Sequence, residues 1–220
     1  MRCLVDDNSK MNIFYALKGG SRQIQNYYKS NNIDPYCRNY KKIYKNWLIC
    51  RNPYDRIVSV FLQRYINGQS THLFKPKNFS NFIDCLYKQY EKYIEKIFEY
   101  KHLLNFNQTL EVYHTLPLSS FMPKVKFVVS KLENISFLNL KTETETNRYS
   151  TFGYQKYKTE CLAKIDYKDL IKLKNNIIKT KKRPYYSCFY NKDILKKIDL
   201  IYKTDFDLLN KYKINYDKPI

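Results

Sequence analysis

The stretch MNIFYALKGGSRQIQNYY, Met11 to Tyr28, sets a short apolar run against a lysine and two glycines, followed by polar residues with helical spacing. Met11 to Ala16 is the length of a buried strand, and glycines directly after it mark a turn. From Ser21 the chain reads as a helix, with the Ser21 side chain placed to cap it. A strand, a glycine turn and a helix N-terminus together aim backbone N–H groups and the positive end of a helix dipole at one point. An anion is the natural guest, and phosphate the commonest. The ATP-binding P-loop has its lysine after the glycines, followed by a hydroxyl for magnesium. Here Lys18 precedes Gly19 and Gly20, so that reading fails on order. Taken alone, the segment is equally a structural glycine turn.

A second strand–helix junction shifts the balance. In ICRNPYDRIVSVF, Ile49 to Phe61, Arg51 closes an apolar run that begins at Trp47, and Pro53 stands where a first helical residue tolerates proline. Arg56 follows about one turn later and Ser59 lies further along. An arginine fork at a strand end suits a phosphate, and a serine hydroxyl can add a neutral hydrogen bond. Two anion sites after two successive strands suit a nucleotide that carries phosphate at both ends.

Further along, Ile83, Leu86, Tyr90, Tyr93, Ile97, Tyr100 and Leu104 recur every three or four residues, predicting a long helix capped by Ser80. Val125 to Val129 is β-branched and predicts a third strand. Leu195, Ile198, Tyr202, Phe206 and Leu209 predict a last amphipathic helix, and the polar stretch from Lys141 to Tyr149 reads as a loop. Alternating strands and helices predict one α/β domain over residues 1–220, with a central, largely parallel sheet flanked by helices.

Composition sets limits. The 220 residues are 44% hydrophobic and 17% aromatic, with 23 tyrosines, which is enough apolar surface for a sizeable core. Forty Lys and Arg against 20 Asp and Glu give a formal net charge of +20, a field that concentrates anions such as nucleotides, acidic glycans or nucleic acid. Lysine, asparagine, isoleucine and tyrosine are abundant throughout, as in proteins from A+T-rich genomes, so coding bias on solvated faces is the plain alternative. The cysteines Cys3, Cys37, Cys50, Cys85, Cys161 and Cys188 form no CxxC and no paired Cys/His spacing, which argues against zinc. The opening MRCLVDDNSK lacks the apolar core of a signal peptide, and no run approaches a membrane span. As written, the expectation is a cytoplasmic protein with reduced thiols, rather than one of the Golgi.

The paired junctions resemble two motifs of sulfotransferases that use 3'-phosphoadenosine 5'-phosphosulfate: the K-x-G-S-T loop at the 5'-phosphosulfate and R-[DN]-P-x-x-R-x-x-S at the 3'-phosphate. The nearest branch is the Golgi carbohydrate sulfotransferases. The resemblance extends through HTLPLSSFMPKVKFVVSKLENI, His114 to Ile135, similar to the family's histidine, strand and F-E-N-L corner. It ends at IDLIYKTDFDLLNKY, like the family's Y-x-x-D-F-x-x-F-G-Y. Arg22 stands where the family has threonine or serine, Leu118 replaces a glutamine, and Asn52 replaces the commoner aspartate.

The resemblance implies a P-loop-kinase-like fold and a metal-free transfer of a sulfuryl group from that donor to an acceptor hydroxyl, on a carbohydrate in the nearest branch. It implies that Lys18 meets the bridging oxygen, with Gly19, Gly20, Ser21 and Arg22 around the 5'-phosphate. Arg51 and Ser59 then hold the 3'-phosphate, while Arg56 serves either as a ligand contact or, somewhat better, in a structural ion pair. His114, chosen over His72 and His102 by its place before Pro117, is the candidate base, with a structural or acceptor-binding histidine as the alternative and Glu111 in reserve. Glu133 is expected to order the corner after the strand, and Asn147 to Thr151 fall where relatives close over the nucleotide. Tyr185 and Tyr186, after the KTKKRP run, read either as acceptor-facing aromatics or as part of a solvated basic turn. The competing class is a non-catalytic basic module of the same fold that holds nucleic acid or acidic glycan by phosphate contact and stacking.

Overall fold

The computed structural model describes residues 2–15, 24, 25, 28, 40–62, 76–100, 115, 117–134 and 155–219, with the side chains of residues 2, 89, 91–100, 120, 121 and 133 left aside. Its main sheet has four strands in the order β1 (Arg2–Asp6), β2 (Met11–Tyr15), β3 (Lys45–Cys50) and β4 (Val128–Lys131). β1 and β2 form an antiparallel pair with Cys3 opposite Phe14. β3 then runs parallel to β2, with Tyr15 opposite Ile49, and β4 parallel to β3, with Lys131 opposite Cys50. The protein is therefore mixed α/β with a mostly parallel central sheet.

Both faces of this sheet are covered, as a parallel arrangement requires. Strand side chains alternate between faces with a period of two. Leu4, Ile13, Tyr15 and Ile49 point one way and meet Ile24 and Tyr28, which are helical and four residues apart, and Leu132. Cys3, Val5, Phe14, Leu48 and Cys50 point the other way, onto Leu118, Phe127 and Leu209. Asn12 is fully buried among them and is satisfied locally: its Nδ2 donates to the Lys41 carbonyl at 2.7 Å, and its Oδ1 accepts from the Lys41 N–H at 2.9 Å. That exchange ties the approach to β3 onto β2.

The helices are α1 (Pro53–Val60), α2 (Phe79–Tyr100), α3 (Tyr167–Thr180), α4 (Lys192–Ile201) and α5 (Lys203–Lys211). Phe61, Phe79, Phe82, Ile83, Leu170, Ile177, Phe189, Ile194 and Ile198 bring α1 to α4 into a second apolar cluster beside the sheet. A smaller parallel pair, β5 (Gln155–Tyr157) and β6 (Lys182–Pro184), is joined through α3. Among the described residues no helix is long and apolar enough to cross a membrane.

Several boundaries differ from the sequence reading. α2 starts at Phe79, and Asn78 takes the capping position, its Oδ1 accepting from the Asn81 N–H at 2.8 Å. Ser80 instead donates its backbone N–H to the Ala163 carbonyl at 2.8 Å. The strand expected at Val125 begins at Val128, with Phe127 buried just before it. The last helix is two, broken at Tyr202, whose φ of −104° and ψ of 18° leave the helical region. The basic run before Tyr185 is no solvated turn at its arginine: Arg183 sits in β6 and is buried.

Candidate functional site

Arg51 and Asn52 lie between the end of β3 and the start of α1. Asn52 caps α1, accepting the Tyr54 N–H on its Oδ1 at 2.9 Å, and Pro53 fills the first helical position, where the missing N–H costs nothing. Every residue of α1 is buried, including Asp55, Arg56 and Ser59. Charges inside a protein must be paired or they are strongly penalised. Each charge on α1 has such a pairing.

Asp55 is held by two arginines. Arg51 donates to its Oδ2 from Nε at 3.3 Å and from Nη2 at 2.8 Å. Arg183, 128 residues away, donates from Nη1 to Oδ1 at 2.8 Å and from Nη2 to Oδ2 at 3.1 Å, a fork-to-fork pair. Burial alone would raise the Asp55 carboxyl; the two guanidinium groups, Arg51 first, overcome it and hold the carboxyl well below the usual carboxylate range. The orientation of Arg51 at the strand end is thus fixed by a carboxylate one turn along and a second arginine behind it.

Arg56 faces Asp205 of α5, with Nη1 at 4.0 Å from Oδ2 and its guanidinium 6.0 Å from the centre of the Tyr202 ring. Asp205 accepts two backbone N–H groups, from Leu118 to Oδ2 and from Ser119 to Oδ1, each at 2.7 Å. Burial pushes the Asp205 carboxyl up, against the opposing pull of Arg56 and those donors. The Tyr202 hydroxyl donates to the Thr115 carbonyl, and Ser119 and Thr204 share a hydroxyl–hydroxyl bond of 2.7 Å. Tyr202 and Asp205 of the Y-x-x-D segment therefore hold Thr115, Leu118 and Ser119, and Asp205 faces Arg56 of α1.

Among the described residues, three arginines, Arg51, Arg56 and Arg183, meet two carboxylates, Asp55 and Asp205, at the carboxyl edge of β3. A cavity of about 20 Å³ lies behind Arg51 and Arg56, against Leu118 and Asp205. That is room for about one water molecule. It is a packing gap rather than a seat for phosphate. The Cys50 thiol beside it is pushed up to about 12 by burial, which leaves it protonated and unreactive at neutral pH.

Of the residues singled out from the sequence, Arg51 and Ser59 are near and on one buried helix, and Arg56 is in an ion pair. Glu133 follows β4 in the 3-10 turn Leu132–Asn134. Lys18, Gly19, Gly20, Ser21, Arg22 and His114 lie outside the described residues, as do His72, His102, Glu111 and Asn147 to Thr151. Their attachment points are described: β2 ends at Tyr15, and Thr115 is clamped by Tyr202. Among the described residues no group of His, Cys, Asp or Glu is placed to hold a metal ion.

Two members of the arginine cluster were missed from the sequence. Asp55 had a signal, its i,i+4 spacing from Arg51. Arg183 had none, being one cation within a lysine-rich run. Compared with protein-family models, curated proteins and solved structures, the chain matches none.

Proposed function

We propose that the protein is a sulfotransferase of P-loop-kinase-like fold, which moves a sulfuryl group from 3'-phosphoadenosine 5'-phosphosulfate to an acceptor hydroxyl on a carbohydrate. The observation that carries this reading is the shared edge of β2 and β3. The two strands are parallel neighbours, and Tyr15, after which the Lys18 segment departs, pairs with Ile49, two residues before Arg51. β2 and β3 thus both end at the carboxyl edge of the sheet, where open α/β sheets receive their ligands. The third segment is anchored nearby, since Leu118 packs against the same small cavity as Arg51.

In this reading Arg51 and Ser59 hold the 3'-phosphate, and Lys18 with residues 19–22 surrounds the 5'-phosphate. The bond from sulfur to the bridging oxygen breaks as the acceptor oxygen attacks from the opposite side. The acceptor's proton passes to His114, and the electron pair stays on the 5'-phosphate, where Lys18 offsets the charge. Cationic and N–H groups placed in advance for such a charge contribute several kcal/mol to lowering a barrier. No metal is needed for that balance.

The test is calorimetric titration with 3'-phosphoadenosine 5'-phosphate, the desulfated product, beside ATP. One-to-one binding with preference for the 3'-phosphorylated nucleotide supports the reading. Folded protein that binds neither, or binds both alike with steep salt dependence, overturns it in favour of a basic binding module.

A further inference from the structure

The faces of α3 divide by sequence register. Leu170 and Ile177 are fully buried in the core cluster beside the sheet, and Lys174 between them is buried as well. Tyr167 and Ile178, by contrast, are 42% and 39% accessible, and Ile171 between them is half-buried. Spaced i, i+4 and i+11, these three fall within about 40° of one another around a helix of 3.6 residues per turn, and so form an apolar stripe along it. Each is followed by a lysine. Lys168, Lys172 and Lys179 are exposed and repeat the same spacing one residue on, so a cationic stripe runs beside the apolar one, about 100° around the helix. Because its inner face is packed into the core, α3 lies flat on the molecule and carries both stripes on its outer side over about 20 Å.

The charge on this face becomes one-signed toward its C-terminal end. Asp166 caps the helix, accepting the Asp169 N–H at 2.9 Å, and Asp169 pairs with Lys172 at 2.9 Å. From Leu170 to Arg183 the sequence has no acidic residue. Lys181 ends the helix with φ 56° and Lys182 follows in β6, both exposed.

The pairing of the two stripes selects an occupant. A second copy of the chain would set lysines against lysines. Single-stranded nucleic acid needs stacking rings where Ile171 and Ile178 stand. A convex helix gives a partner protein no pocket for an anchor side chain. A bilayer surface needs neither ring nor pocket: shallow apolar side chains enter the headgroup boundary while lysine stems reach sideways to the lipid phosphates. Anionic lipid supplies the complementary charge.

We propose that α3 is a docking face for an anionic phospholipid surface, with Tyr167, Ile171 and Ile178 at the headgroup boundary and Lys168, Lys172, Lys179 and Lys182 against the lipid phosphates. The inference is independent of the sulfotransferase reading.

The test is flotation of the full chain with vesicles of phosphatidylcholine alone, or of phosphatidylcholine mixed with phosphatidylserine, at about physiological ionic strength. Binding is expected to the mixed vesicles only. Tyr167→Ser/Ile178→Ser, which keeps the net charge of +20, is expected to weaken it about fivefold or more. Lys168→Glu/Lys179→Glu is expected to weaken it about tenfold or more. Wild-type affinity in either variant, or equal binding to both kinds of vesicle, overturns the proposal. Oligothymidylate that displaces the protein from mixed vesicles at equal phosphate concentration assigns the lysines to nucleic acid and overturns it too. The wild-type protein gives a second readout that no folding defect can disturb. Bound vesicles are expected to slow acetylation of Lys168 and Lys179, mapped by mass spectrometry, relative to the exposed Lys211 at the end of α5; equal slowing at all three overturns the assignment to α3.

Discussion

Asp55 is the residue on which the arginine cluster turns, because one carboxylate accepts four N–H bonds from two guanidinium groups. Replacing it by asparagine removes the carboxylate charge that Arg51 and Arg183 share, a loss of about 3–5 kcal/mol for breaking a buried pair from one side. We expect Asp55→Asn to lower Tm by roughly 10 °C at neutral pH. The pH dependence has a definite sign. A carboxyl held below its ordinary value, 3.8, in the folded state contributes stability above that value and loses it as pH falls toward the folded value. The gap in stability between wild type and Asp55→Asn should therefore be constant at neutral pH and narrow below about pH 4, as read by urea unfolding. Asp205, raised by burial, contributes in the opposite sense over the same acid range, so the comparison is between variants and not with wild type alone. Arg51 is separable from this effect: Arg51→Lys keeps a cation for Asp55 but loses the planar fork. If Arg51 also grips a 3'-phosphate, this variant melts close to wild type yet binds the desulfated nucleotide at least about tenfold more weakly; wild-type affinity would reduce Arg51 to a structural partner.

At the scale of elements, α5 acts on the site through the loop it holds. Asp205 and Tyr202 together fix Leu118, Ser119 and Thr115, the last directly after His114 in the chain. Tyr202→Phe removes one buried hydrogen bond, worth about 1 kcal/mol of stability. If His114 is the base, small displacements of its segment cost far more in rate than in stability. We expect this variant to keep nucleotide affinity and lose about tenfold in kcat; an unchanged kcat with the same loss of stability would confine the clamp to folding. Much of this architecture was legible in the sequence. β2, β3 and α1 announced themselves through short apolar runs, glycines and Pro53, because those signals are local. β1 was not, since RCLVD offers five residues whose meaning comes from pairing with β2. The break at Tyr202 was hidden inside an unbroken apolar stripe, and Arg183 gains its significance only when β6 lies beside α1, a contact no spacing encodes.

Over the whole molecule, a formal net charge of +20 draws any polyanion, so binding to an anionic bilayer alone says little about a site. The decisive comparison holds that charge constant. Lys168→Glu/Lys179→Glu removes four units of charge from exposed positions of α3 and leaves +16. Lys156→Glu/Lys158→Glu leaves the same +16 but places the change on exposed positions outside α3, in and just after β5. The long-range field is nearly the same for both at a distance beyond the Debye length, about 8 Å at physiological salt. Only contacts at shorter range distinguish them. We expect affinity for phosphatidylserine-containing vesicles at 0.15 M salt (about physiological ionic strength) to fall in the α3 variant and to hold within about twofold in the β5 variant. Equal losses in the two would mean that the vesicles respond to net charge, and α3 would then have no claim to a docking face. At low salt the screening length grows to about 30 Å and both variants should weaken together, so agreement there and divergence at physiological salt is the signature of a local site on a strongly basic protein.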